Sequence, residues 1–334
     1  MKDPKIGFIG CGRHAQICLY PSLEALDIPV QSVCAFHLSH AEAIAKKYGI
    51  PQAYDNYKTM LDREHLDAVF IAVPANQSTG IVIDCLQAGV HVFVEKPLGS
   101  TVDDAIRVAE MSKKVGKYVQ VGYMKRFSPV YQKAKALTSD PGTFGTPISM
   151  HGIFTCRNIG FGTDERNFVL NAAIHNIDLL RYFAGEITDI CGYKKIVEEG
   201  IAYQFSFRSD RGIIGTMIFI ALPPWSHRKE EMTVTGTKAF VTASDIKTVT
   251  FHPASENTAT PRWQTIDEIE QQYSSMDSTS SGGLQPLYLT GFVGGLKEFV
   301  ESVKTNKATI NTAGENVKTM ELCEKILLSL IHTN

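Results

Sequence analysis

Between residues 5 and 122, short runs rich in β-branched residues alternate with stretches of helical periodicity, and no other feature constrains the fold as tightly. Residues 5–9, 30–36, 67–72, 91–95 and 118–122 read as strands, and residues 14–26, 41–48, 79–88 and 103–115 as helices. A strand that returns parallel to its predecessor needs a crossover, usually a helix. The pattern therefore predicts an α/β domain, a doubly wound parallel sheet covered by helices on both faces. Val69-Phe70-Ile71-Ala72-Val73 is apolar on both faces, as a central strand of such a sheet must be.

After residue 122 the rhythm changes. A helix at 129–137, a strand at 148–154 and a helix at 170–183 precede strands at 187–193, 201–208, 213–220, 231–235, 239–242 and 248–252. Short turns such as Ser209-Asp210-Arg211-Gly212 and Gly236-Thr237 join them, which predicts an antiparallel sheet. Residues 274–283, rich in Ser and Gly, read as a mobile loop, and helices at 290–304 and 314–331 close the chain. With 334 residues the chain exceeds one core, so a boundary near residue 123 is expected, separating domains at 1–123 and 124–334.

Composition narrows the function classes. A formal net charge of -2, with no basic run interleaved with aromatics, gives no footprint for nucleic acid or an anionic membrane surface. The longest apolar stretch, 213–222, contains Gly215 and Thr216 and is too short to span a bilayer. Seven cysteines without a C-x-x-C pair argue against a disulfide framework and a structural zinc site, and no metal is expected. Lys2-Asp3-Pro4 run directly into the first strand, which reads as no secretory signal; a soluble, cytoplasmic protein is the expectation.

Gly10-Cys11-Gly12-Arg13-His14-Ala15 follows the first strand and opens the first helix. In this position Gly10 permits a tight turn, Gly12 lets backbone approach a pyrophosphate, and Ala15 allows close helix–strand packing. The helix amino terminus then presents free N–H groups to phosphates. Gly10, Cys11, Gly12, Arg13 and His14 are thus candidate contacts to a dinucleotide, with a glycine-rich turn of another α/β fold as the alternative. The second strand ends Val33-Cys34-Ala35-Phe36-His37, without the acid that holds the adenosine ribose of NAD. Ala35, His37 and Ser39 are the candidates there. Loss of the carboxylate removes repulsion against a 2′-phosphate, so between NAD and NADP the sequence leans slightly to NADP.

Val94-Glu95-Lys96-Pro97-Leu98, Ile71-Ala72-Val73-Pro74, the 121–127 junction VGYMKRF and the 174–181 helix IHNIDLLR together resemble the glucose-fructose oxidoreductase / inositol dehydrogenase (Gfo/Idh/MocA) family. The resemblance implies a Rossmann domain and a second, carboxy-terminal α/β domain with a large, mostly antiparallel open sheet. It also implies hydride transfer between a nicotinamide and the secondary alcohol or ketone of a sugar, cyclitol or sugar derivative. A homodimer or homotetramer through the second sheet follows from the same likeness. Lys96 matches the lysine that hydrogen-bonds the reacting oxygen, and His175 the histidine that serves as general acid/base. Ala72, Val73, Pro74 and Glu95 match segments that approach the coenzyme.

The chemistry is coherent without the family. Oxidising an alcohol needs a hydride acceptor, a group to take the hydroxyl proton and positive charge near the developing oxyanion. Histidine suits the proton exchange and a lysine ammonium the charge. Asn171, His175 and Asp178 fall on one helix face by i, i+4 and i, i+3 spacing, although a satisfied core histidine has the same pattern. Lys125, Arg126 and Arg157 are candidate substrate or phosphate partners, with a domain-linking ion pair equally open for the first two. Tyr123 reads first as packing.

Several positions depart from the family pattern. Asn171 stands where many members have an aspartate; an amide can orient an imidazole and cannot stabilise its cation. Residues 166–170, RNFVL, replace a Gly-Gly stretch, Ser78 replaces a histidine, and Phe292 fills a tyrosine position for which Tyr288, one turn earlier, is the candidate substitute. A non-catalytic Rossmann ligand sensor is the competing reading, which intact Lys96 and His175 disfavour.

Overall fold

The computed structural model describes residues 3–225, 228–254, 269–276 and 279–333. Met1 and Lys2, ahead of the first strand, and residues 277–278 of the expected loop lie outside the described residues. The chain forms two compact units, Met1–Phe127 with Ser280–Glu321, and Ser128–Thr279 with Leu322–Asn334. A single boundary near residue 123 does not include the return of a late segment to the first unit.

The first unit holds a six-stranded sheet of β1 (Ile6–Ile9), β2 (Ser32–Cys34), β3 (Gln52–Tyr54), β4 (Ala68–Ile71), β5 (His91–Val94) and β6 (Val119–Val121). Their order is β3-β2-β1-β4-β5-β6 and every pairing is parallel. This is the Rossmann order, whose chain reverses direction across the sheet between β1 and β4, where a crevice opens at the carboxyl ends. β1, β4 and β5 are buried along their whole length, as strands covered on both faces should be. β3 and the helix Tyr57–Glu64 after it escape the sequence reading. Gln52-Ala53-Tyr54 is a half-exposed edge strand with no β-branched residue.

Helix Phe292–Thr305 closes this unit. Val293, Leu296, Phe299 and Val300 are buried at helical spacing, and Phe299 meets the rings of Phe70 and Phe93 at 5.3 and 5.9 Å. Gln120 Nε2 donates to the Gly295 carbonyl at 2.8 Å. A Cβ on Gly294 would lie 3.0 Å from the Phe127 carbonyl, so the small residue lets the helix approach.

The second unit carries a nine-stranded sheet made of β7 (Pro147–Cys156), β8 (Ile187–Val197), β9 (Gly200–Ser209), β10 (Ile214–Ala221), β11 (Lys229–Gly236), β12 (Ala239–Ser244), β13 (Thr248–Pro253), β14 (Gln271–Ser274) and β15 (Leu330–His332). The order is β14-β13-β12-β11-β7-β10-β9-β8-β15, antiparallel except for β7–β10 and β8–β15. The expected terminal helix therefore ends at Ser329 and its last residues form a strand. Alternation sets the faces: Ile201, Tyr203, Phe205 and Phe207 of β9 are buried while Gln204, Ser206 and Arg208 are exposed. The outer face carries a cross-strand row of Cys191, Ser206, Thr216, His151, Thr233, Thr242 and Thr250.

Helix Pro129–Thr138 packs against β12 and β13. Its Tyr131 hydroxyl donates to the buried carboxylate of Glu230 on β11. Burial and that neighbouring carboxylate raise the Tyr131 phenol well above its ordinary value. A hydrogen bond to a charged group contributes about 1.5–3 kcal/mol, and Tyr131→Phe should lower stability by that amount. Urea unfolding measures it, and a loss below about 0.5 kcal/mol would mean that the contact adds nothing net.

Candidate functional site

The carboxyl ends of β1, β2 and β4 meet at Gly10. Its N–H donates to the Cys34 carbonyl at 2.8 Å, and the Ala72 N–H donates to the Ile9 carbonyl at 2.8 Å. Gly10 has φ +117°, and a Cβ there would sit 2.2 Å from the Ala72 carbonyl oxygen, so both conformation and space demand glycine. The Gly10 carbonyl in turn accepts from the buried Tyr20 hydroxyl at 3.0 Å. Tyr20 stacks on Phe8 at 4.2 Å and Tyr48 at 5.0 Å, which anchors the loop in the core.

Gly12 differs. A Cβ there would meet no atom within 4 Å, so packing within the chain does not require glycine at this position. Its small size leaves the turn open on the side that faces a cavity of about 520 Å³. Among the expected contacts, Gly10, Cys11, Gly12, Ala35, Ala72, Val73 and Pro74 line this cavity. The first helical turn widens into a π-helical stretch at Ala15–Leu19, the kind of irregularity often kept at functional sites. Ala15 is buried beneath the loop.

Arg13, His14, His37, Ser39, Glu95 and Lys96 are not among the residues that line it. Arg13, His37 and Ser39 are exposed, and the His37 ring sits between those of Phe36 and His40 at 4.9 and 5.4 Å. His14 and Glu95 form a separate pair. His14 Nε2 lies 3.4 Å from Glu95 Oε1, and the His14 ring meets Phe292 edge-on at 5.5 Å. Hydrogen bonding to the Cys18 thiol and to the Glu95 carboxylate pushes the imidazolium up to about 10. Glu95 is buried, its second oxygen accepts from the Lys96 N–H at 3.2 Å, and a Cβ on Gly122 would touch the carboxylate at 3.0 Å. Lys96 follows β5 directly and is half-buried. Ser78, in the histidine position, accepts from the Gly99 N–H at 3.1 Å and so ties helix Ala75–Gln87 to the loop after Lys96.

Tyr123 is buried and its hydroxyl donates to Asn316 Oδ1 at 2.5 Å. Lys125 and Arg126 are buried as well, and Arg126 pairs with Glu315 at 3.9 Å within the first unit. Tyr288, in helix Gln285–Thr290, and Arg157 are exposed.

In the second unit His175 lies on helix Ile174–Ala184, preceded by a π-helical stretch at Val169–Ala173. That wider turn contains Asn171. The Asn171 amide donates to Asn167 Oδ1 at 2.7 Å. Asn171 is exposed, His175 half-buried and Asp178 fully buried. One turn on, Arg181 is held by two bonds to Glu186, at 3.0 and 2.8 Å.

The cavity also includes Phe36, His40, Asp55, Asn56, Tyr57, Gln77 and Ile81. Asp55, Asn56 and Tyr57 went unread because β3 did. The available signal was Asn56, whose side chain caps helix Tyr57–Glu64 by accepting from the N–H groups of Lys58 and Thr59. Among the described residues no cluster of His, Cys, Asp and Glu could hold a metal ion, and no helix is long and apolar enough to cross a membrane.

Residues 4–123 match the family GFO_IDH_MocA, described as an oxidoreductase family with an NAD-binding Rossmann fold. The chain is 30% identical over 201 residues to scyllo-inositol 2-dehydrogenase (NAD(+)) of Bacillus subtilis (strain 168), covering 56% of this chain and 58% of that protein. It is 27% identical over 148 residues to an inositol 2-dehydrogenase of Corynebacterium glutamicum (strain R), with 44% of each covered. The chain thus spans about half the length of the curated relatives it matches. In fold it is similar to a dehydrogenase from Chromobacterium violaceum, TM-score 0.87 at 20% identity over 99% of this chain and 96% of that one. A levoglucosan dehydrogenase solved in complex with NADH gives a TM-score of 0.84 at 15% identity over 98% and 97%. The amino-terminal Rossmann domain, residues 4–123, is thus similar to the Gfo/Idh/MocA oxidoreductase family.

Proposed function

We propose that the protein is an NAD(P)-dependent dehydrogenase or reductase acting on a secondary alcohol or ketone of a sugar, cyclitol or sugar derivative. The carrying observation is the cavity at the carboxyl ends of β1, β2 and β4, where Gly10 is required by packing and Gly12 is not. A glycine that nothing in the chain needs is expected where a ligand's phosphates approach the backbone. The inositol dehydrogenases among the relatives support the substrate class.

A nicotinamide coenzyme bound here supplies or accepts the hydride. Cys11 and Gly12 would hold its pyrophosphate through backbone N–H groups, Gly10 shapes the turn with its own N–H bonded to the Cys34 carbonyl, and Val73 and Pro74 would border the coenzyme's path along the sheet edge. Lys96 hydrogen-bonds the reacting oxygen and stabilises its developing negative charge, and His175 takes or returns the proton. His14, held cationic by Cys18 and Glu95, adds positive charge to the helix end nearest the phosphates. The Thr- and Ser-rich outer face of the nine-stranded sheet supports assembly into a homodimer or homotetramer.

Turnover of inositols, sugars, sugar phosphates and nucleotide sugars, followed by nicotinamide absorbance, tests the reading. Lys96→Ala should cut kcat/KM by about a hundredfold or more while coenzyme affinity stays within about threefold. Coenzyme binding by the wild type with no turnover of any such substrate would instead favour a ligand sensor.

The two glycines separate loop packing from ligand approach. Gly12→Ala should leave the thermal midpoint unchanged and weaken coenzyme binding by about tenfold or more, since a methyl group enters the phosphates' space. Gly10→Ala should lower the midpoint, because its Cβ strikes the Ala72 carbonyl. Equal loss of stability in both would remove the distinction.

His14 also gives a pH signature. Its folded value near 10 lies above the ordinary 6.5, so its stabilisation is fully present below pH 6.5 and is lost as pH rises through 10. The stability difference between wild type and His14→Gln should therefore shrink steadily from pH 6.5 to 10 in urea titrations. A difference independent of pH would show that the ion pair carries no linkage.

A further inference from the structure

The tip of β2 has no acid, yet the cavity beside it contains one. Asp55 lines this cavity together with Gly10, Gly12, Ala35, Phe36 and His40. It arrives from the neighbouring strand. β2 and β3 run parallel with Cys34 opposite Tyr54, and the Ala35 N–H donates to the Tyr54 carbonyl at 3.1 Å. Asp55 is the first residue after β3, so its backbone follows Tyr54 beside that of Ala35, at the level where β2 would present its own carboxylate.

Nothing in the local fold requires an acid at this position. The cap of the following helix is made by Asn56, and Asp55 is exposed. Lys58, the nearest lysine in sequence, is already paired with Asp84 at 2.9 Å. Among the described residues that line the cavity there is no lysine or arginine, and His40 is the one basic side chain. Phe36, 90% exposed at the same rim, offers an aromatic face of the kind a purine stacks on.

We propose that Asp55 is the residue that selects the coenzyme: it accepts hydrogen bonds from the adenosine ribose hydroxyls and repels a 2′-phosphate, so that the protein prefers NAD to NADP. This rests on reading the cavity as the coenzyme site. It reverses the lean to NADP that follows from the bare β2 tip alone. A carboxylate has two oxygens and four lone-pair positions, which suits a vicinal diol, and it is acceptor-only when ionised. A phosphate on the 2′-oxygen removes one donor and brings a second anion against the first. With no lysine or arginine on the cavity wall, the repulsion has no compensating cation.

Calorimetric titration of the full chain with NADH and with NADPH reads binding directly, without turnover. The wild type should bind NADH more tightly, and Asp55→Asn should narrow the ratio of the two dissociation constants by about tenfold or more, the scale of one charge-assisted hydrogen bond. Asp55→Glu, which keeps the charge, should retain the preference for NADH. Asp55 is exposed, and an unchanged thermal midpoint in both variants shows that the fold is kept. A wild type that binds both coenzymes with a ratio untouched by Asp55→Asn overturns the assignment and leaves the coenzyme site standing. A wild type that binds neither overturns both.

Discussion

The close approach of Gly10 to the Ala72 carbonyl governs the working end of the first unit. Three parallel strands can converge at their carboxyl ends only if the chain leaving the central one turns within a residue. That turn needs a positive φ and no side chain. The hydrogen bonds from Gly10 to Cys34 and from Ala72 to Ile9 then bind the three tips together. Tyr20 adds a restraint from beneath, donating to the Gly10 carbonyl from a stack with Phe8 and Tyr48. The cavity, the exposed Gly12 and the start of the first helix all take their positions from this junction.

Buried or half-buried acids recur across both units, and the chain repeatedly meets them with phenols. Tyr131 donates to Glu230, Tyr203 to Glu165 and Tyr57 to Asp84. A phenol brings its own apolar surface into the core and leaves one strong donor for the carboxylate, without adding a second charge to desolvate. Two of these carboxylates are ion-paired as well, Asp84 with Lys58 and Glu165 with Lys194, each at 2.9 Å. Buried Glu95 instead faces the exposed His14 at 3.4 Å.

The expected strands and helices were legible wherever periodicity was strong. β1, β4 and β5 are continuous apolar runs, and the strands of the nine-stranded sheet alternate cleanly. β3 was invisible because an edge strand of three residues with partial exposure carries neither pattern. The π-helical stretch at Val169–Ala173 was equally hidden, since no residue pattern distinguishes it from regular α-helix. Within the cavity, Gly10, Gly12 and Val73-Pro74 could be read from local motifs, whereas Asp55 could not, since its place depends on a strand neighbour in register.

By itself the sequence determined the Rossmann alternation, the glycine turn, the Glu95-Lys96-Pro97 segment and the antiparallel character of the second sheet. Each of these is local: a period, a turn conformation or a run of adjacent residues specifies it. Only the tertiary structure decided that a late helix returns to complete the first unit and that Gly122 makes room for the Glu95 carboxylate. It also decided that Asp55, just past β3, stands beside the tip of β2 and lines the same cavity. Those facts belong to residues brought together across the chain by sheet register and core packing, and one-dimensional spacing carries no record of them.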